Sequence, residues 1–243
     1  MSNITYRVSS LSGGIIVTPS DDPNPDREDH ASSPPWYTVR PITGGVILSP
    51  SMDPNYLEGN NVHILSTGGT IDKDYPKLTS GYAFEFGDQS AAERILKNHP
   101  NLGIAYIIRS ICKKDSLEIT QQDRSELGSA IAFIIEERKY HPELVRVVVT
   151  HGTDTMIDTA MFIKNRLSDE DRARFVIAFT GATKPERFVD SDASFNVGCA
   201  VAATSSCKPG SVVICMNGNV IPVEECVRDE ASGLFRRKNT QSH

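Results

Sequence analysis

Val62-His63-Ile64-Leu65-Ser66-Thr67-Gly68-Gly69-Thr70 decides how the chain is read. A short, almost continuously apolar run, as expected of a strand covered on both faces, breaks into a turn of glycines and hydroxyls. The same order returns in Val145-Arg146-Val147-Val148-Val149, continued by Thr150-His151-Gly152-Thr153-Asp154-Thr155, and in Phe175-Val176-Ile177-Ala178-Phe179, continued by Thr180-Gly181-Ala182-Thr183. Runs over 104–108 and 212–216 complete five predicted strands. Helical patterns over 89–98, 121–139, 155–167, 169–174 and 195–205 separate them, and the Thr120/Asp123 and Ser168/Asp171 pairs have capping-box spacing. Alternating strands and helices predict an α/β fold: a doubly wound, mostly parallel sheet with helices on both faces.

In such sheets ligands bind at the carboxyl ends of the strands. Three hydroxyl-rich turns at equivalent positions would gather threonine hydroxyls, one carboxylate and free backbone N–H groups around a single crevice, and glycine permits close backbone approach to a ligand. Any one such turn could equally be a helix cap, and His151 reads as a satisfied structural histidine. The chain has no G-x-x-x-x-G-K-[ST], no G-x-G-x-x-G, no G-x-S-x-G and no H-E-x-x-H, so P-loop, dinucleotide, serine-hydrolase and zincin readings lose their usual marks.

Composition narrows the classes further. Of 243 residues, 39% are hydrophobic and 23% charged, and 25 Lys+Arg against 31 Asp+Glu give a net charge of −6. That balance lacks the basic footprint of a nucleic-acid binder. No stretch approaches a bilayer span and the start MSNITYRVSS lacks an apolar signal core, so the expected location is cytoplasmic, without a membrane partner. Five cysteines, odd in number and without a C-x-x-C pair, suggest neither a disulfide framework nor a zinc site.

Residues 1–58 stand apart: they carry 8 of the 14 prolines, no lysine, and 3 arginines against 7 acidic residues, a net 3 − 7 = −4. Within them, 6–24 and 37–55 align without gaps at an offset of 31, with 10 of 19 positions identical, including Gly13-Gly14 with Gly44-Gly45. Unrelated segments would share about one identity over such a length, so this is a duplication. Each copy contains one apolar run, GGIIV or GGVIL, closed by Pro-Ser and Asp-Pro, and is expected to form a flexible or docked tail, or a linear docking motif, ahead of a domain at 59–243.

Thr67-Gly68-Gly69-Thr70-Ile71, paired with His151-Gly152-Thr153-Asp154-Thr155, is similar to the two signature motifs of the bacterial-type L-asparaginase family. The resemblance runs through Lys114-Asp115-Ser116-Leu117, Thr180-Gly181-Ala182, Ser191-Asp192-Ala193, Phe195-Asn196-Val197-Gly198 and Met216-Asn217-Gly218, covering about 60–237, and is closest to short members without the smaller C-terminal domain. It implies hydrolysis of L-asparagine, with L-glutamine a second candidate amide, without metal or organic cofactor. It also implies Thr70 as nucleophile, Tyr75 as a loop tyrosine that helps activate it, and Thr153 with Asp154 as a second group. Asp115 and Ser116, with the backbone at Gly69 and Gly152, would then hold the substrate. Long members complete the Thr-Asp pair with a lysine; gapless counting from Phe195 brings Cys207 to that place with Lys208 beside it, so Lys208 is the expected partner and Lys184 the other amine nearby. A homo-oligomer is expected because a short chain must cover its site without the second domain. Two other readings of the same scaffold are a different amidase, such as the deamidating component of a tRNA-dependent amidotransferase, and a non-catalytic amino-acid-binding or regulatory protein.

Overall fold

Each copy of the Gly-Gly repeat folds back on itself. β1 (Tyr6–Leu11) pairs antiparallel with β2 (Gly14–Pro19), closing at Leu11↔Gly14, and β3 (Tyr37–Ile42) pairs with β4 (Gly45–Pro50), closing at Ile42↔Gly45. Tyr6↔Tyr37 joins the hairpins in the order β2-β1-β3-β4. The apolar pattern predicts one run in each copy; the structure has two strands, because Ser9, Ser10, Arg40 and Pro41 hide the pattern of β1 and β3.

The computed structural model describes residues 6–11, 14–19, 37–42, 45–50, 61–74, 84–99, 101–138 and 143–238. The chain divides into two units, Met1–Gly59 and Asn60–His243. In the second, β5 (Val62–Gly68), β8 (Tyr106–Lys114), β9 (Val145–Thr150), β10 (Phe175–Thr180), β11 (Ser211–Met216) and β12 (Asn219–Pro222) form one sheet in the order β12-β11-β10-β9-β5-β8. All neighbours are parallel except β11 and β12. Two small antiparallel pairs flank it: β6 (Lys73–Asp74) with β7 (Glu85–Phe86), and β13 (Cys226–Arg228) with β14 (Phe235–Arg237).

β9 and β10 are buried along their whole length, which is why they read as almost continuous apolar runs. Leu65, Val147, Val149, Ile177 and Phe179 point to one face with Leu127, Ile131 and Ile163, from α2 (Gln121–Glu137) and α3 (Met156–Arg166). Ile64, Val148, Ala178 and Cys215 point to the other, with Ala200 and Ala203 of α5 (Ala193–Ser206) and Ala92 and Leu96 of α1 (Ala91–Lys97). Each fully buried large apolar side chain contributes roughly 1.5–3 kcal/mol. The short α4 (Asp169–Arg172) starts behind Ser168, which accepts from Asp171 N, and Thr120 and Asp123 form the reciprocal cap of α2. Across the sheet Ser66, Thr150 and Thr180 are register partners, so β5, β9 and β10 release their turns at one level.

Candidate active site

The three turns meet backbone to backbone. Gly69 has φ 81 and ψ −179, a region essentially closed to other residues, and a Cβ there would overlap the Gly152 main chain. A Cβ on Gly152 would in turn lie 2.6 Å from Ser116 Cβ. Gly69 N donates to Lys114 O at 2.8 Å, Thr67 Oγ1 to Thr150 O at 3.0 Å, His151 N to Thr180 O at 2.8 Å, and Thr155 Oγ1 to Ser116 O at 2.7 Å. The turn after β5, the turn after β9 and the Asp115-Ser116 corner after β8 are thereby fixed to one another, bringing Thr70, Thr153, Asp154, Asp115 and Ser116 to one rim.

Charge on this rim is organised as a ladder. Lys73 Nζ donates to Asp115 Oδ2 at 2.5 Å, and Asp115 Oδ1 accepts from Ser116 N at 2.7 Å. Ser116 Oγ donates to Asp154 Oδ2 at 3.1 Å, and Arg228 Nη1 pairs with Asp154 Oδ1. The Lys73 hydrogen bond holds the Asp115 carboxyl below the usual carboxylate range. Beneath the rim, burial pushes the Asp72 carboxyl up to about 6, against the pull of its bond from Ala91 N at 2.5 Å and the Arg94 charge. That bond ties the residue two beyond Thr70 to the start of α1. Burial lowers the His151 pKa and keeps the ring neutral; its Nδ1 lies 2.8 Å from Gly152 O, the geometry of a turn-supporting histidine.

Of the expected residues, Thr70 is half-buried at the start of a 3-10 turn, Thr70–Asp72, and Thr153 is half-buried in the second turn. Asp115 caps a second 3-10 turn, Ser116–Glu118. Tyr75 lies outside the described residues. Lys208 is not brought to the site. It is exposed and follows α5, where Gly210 N donates to Phe175 O at 2.7 Å. Phe175 opens β10 while Thr180 closes it, so Lys208 sits at the opposite end of the sheet, a strand length of roughly 15–20 Å away. Lys184 pairs with Asp190.

The cation beside Asp154 is Arg228, which sequence reasoning missed. It ends β13, and that hairpin is drawn to the rim because Asn217 Oδ1 accepts from Phe235 N at 3.0 Å. One signal was available: Arg228 is the first basic residue after Met216-Asn217-Gly218. The Ser191-Asp192-Ala193 motif also has a role that its sequence did not disclose. Asp192 accepts from Thr183 N at 2.9 Å, Thr183 Oγ1 at 3.0 Å and Asn196 Nδ2 at 2.9 Å, clamping the turn after β10. Among the described residues, no three His, Cys, Asp or Glu side chains are grouped to hold a metal ion. No helix among them is long and apolar enough to cross a membrane. A cavity of about 290 Å³ lies between α1 and β8, its wall including Ser66, Glu93 and Tyr106 but none of the rim residues named above.

Residues 61–239 match the family described as Asparaginase, N-terminal. The chain is 28% identical over 179 residues to a glutaminase-asparaginase of Acinetobacter glutaminasificans, covering 72% of this chain and 50% of that protein. It is 32% identical over 162 residues to a component of the Glutamyl-tRNA(Gln) amidotransferase of Archaeoglobus fulgidus, covering 65% and 35%. Among solved structures, the thermostable L-asparaginase from Thermococcus kodakarensis shares the fold with a TM-score of 0.60 at 21% identity, covering 74% of this chain and 51% of that one. The chain thus spans about half or less of the length of these relatives.

Proposed function

The chain belongs to the asparaginase family, and we propose that it hydrolyses the side-chain amide of L-asparagine to L-aspartate and ammonia with Thr70 as nucleophile. The observation that supports this reading is the close approach of Gly69 to Gly152 and of Gly152 to Ser116, which joins the turn leading into Thr70 to the turn bearing Thr153 and Asp154. Thr70 Oγ attacks the amide carbon, its proton leaves through a neighbouring acceptor, and the oxyanion is met by backbone N–H groups of the glycine turns. The C–N bond then breaks, ammonia departs with the returned proton, and water cleaves the Thr70 ester to release aspartate. Tyr75, five residues on, and Thr153 are the proposed proton carriers.

Arg228 alters the chemistry expected of a lysine. A guanidinium stays charged at any working pH, so it positions Asp154 without taking part in proton transfer. Ammonia release by the wild type, Thr70→Ala and Thr153→Ala tests the assignment: both variants should lose activity, and full activity in both would reject the site.

The amidotransferase component among the relatives favours a second reading, in which the same chemistry releases ammonia from glutamine for a partner protein. A kcat/KM higher for L-glutamine than for L-asparagine would select it. A homo-oligomer in the cytoplasm is also proposed. The exposed apolar side chains of Leu117, which follows Ser116, and Phe195 support the first part, and light scattering that returns a 26.6 kDa monomer would reject it.

A further inference from the structure

Two cations stand on the rim, and they are held differently. Arg228 is fixed on its hairpin: besides Asp154, it donates from Nε to Gly233 O at 3.4 Å and lies over the Phe235 ring at 6.0 Å. Lys73 sits three residues beyond Thr70 on a flexible four-carbon stem. Its ammonium meets only Asp115, at 2.5 Å, and the Phe84 ring, at 5.8 Å from the centroid, among the described contacts. The two side chains of that ion pair are 22% and 35% exposed, so water and a ligand can reach it. Asp115 is also tied to Ser116 N, which fixes the carboxylate while leaving the lysine end able to swing.

We propose that Lys73 is the residue that selects ligands with a free α-carboxylate: an amino acid inserts between Lys73 and Asp115, giving its carboxylate to the ammonium and its own ammonium to Asp115. The proposal rests on the amide-hydrolysis reading above. Charge is conserved in the exchange, since each half of the opened ion pair finds an opposite charge on the zwitterion. An amide lacking either charge would open the pair and leave one partially desolvated group without a counter-charge, which is how a polar site rejects near relatives of its ligand. Peptide-bound asparagine is excluded by the same rule.

The test uses the full chain. KM and kcat for L-asparagine are measured by ammonia release for wild type, Lys73→Gln and Lys73→Arg. Calorimetry then compares succinamate, which lacks the ammonium, with β-alaninamide, which lacks the carboxylate. Lys73→Gln should raise KM for asparagine and Kd for succinamate by about 10- to 100-fold, the loss of one charge-assisted hydrogen bond. It should leave kcat and the Kd of β-alaninamide within about three-fold, and Lys73→Arg should recover most of the loss. Equal weakening of succinamate and β-alaninamide, or an unchanged KM, would overturn the proposal and make Lys73 a mere support for Asp115. A wild type that binds succinamate in a Lys73-dependent way yet releases no ammonia would refute the amidase reading and uphold the proposal. A wild type that binds either analogue with a Kd at or below its KM for L-asparagine would overturn it.

Discussion

Gly69→Ala puts the meeting of the turns to a direct test. At φ 81 and ψ −179 an alanine costs about 1–3 kcal/mol in backbone strain. Its methyl would overlap the Gly152 main chain, which cannot rotate away as a side chain can, adding about 1–3 kcal/mol of overpacking. The expected destabilisation is roughly 2–6 kcal/mol, and at about 2–4 °C per kcal/mol for a domain of this size the melting temperature should fall by roughly 5–20 °C. Activity should fall further than stability, because displacing the turn by about 1 Å costs on the order of 100-fold in rate. Thermal denaturation by circular dichroism, with ammonia release measured well below the transition, gives both numbers. Two glycines serve as controls: a Cβ meets nothing within 4 Å at Gly103 or Gly198. Gly103→Ala should be close to neutral, and Gly198→Ala, within α5, should stabilise by about 0.5–1 kcal/mol. A Gly69→Ala protein with unchanged melting temperature and activity would refute the backbone contact on which the site rests.

Arg228→Met should lower kcat/KM for asparagine by about 10- to 100-fold while moving stability by under about 1 kcal/mol, because this pair is 35% and 43% exposed and solvent screens it. Lys208→Ala should leave kcat/KM unchanged; the reverse order of effects would restore Lys208 to the site. Two buried groups should tilt stability in opposite senses below neutrality. His63, lowered by burial from 6.5 to about 4, costs stability as pH falls through that window, since the unfolded chain takes up the proton first. Asp72, raised from 3.8 to about 6, contributes stability at low pH that is lost as pH rises to about 6. Melting temperatures of Asp72→Asn relative to wild type should therefore increase from pH 4 to pH 6, and a flat difference would contradict the burial of Asp72. A chain starting at Gly59 should remain folded and active, with aggregation of the shortened form as the contrary result.

Sequence periodicity disclosed β5, β9 and β10 because both their faces are buried, so nearly every residue carries the apolar signal. It misjudged β8, expected over 104–108 and found over Tyr106–Lys114, because an edge strand is half-solvated and admits Arg109, Ser110 and two lysines without penalty. The turn residues of the site were legible, since glycine and threonine at strand ends have few other reasons to recur in threes. Arg228 was not, because its position depends on an antiparallel excursion through β12 and a hairpin of three-residue strands, too short to carry any periodic signal. Counting along α5 toward Lys208 assumed that the partner of Asp154 came from a helix. The chain supplies it from the far side of the rim.

The register of Ser66, Thr150 and Thr180 makes the sheet a levelling device. One residue added to or removed from β5, β9 or β10 would shift its turn by about 3.3 Å along the strand and invert which face its side chains present. A length change in the surface loops at the other end of these strands has no such effect. Insertions and deletions tolerated by this domain should therefore collect at the amino-terminal edge of the sheet, while the carboxyl-terminal edge accepts exchange of side chains and forbids any change of length.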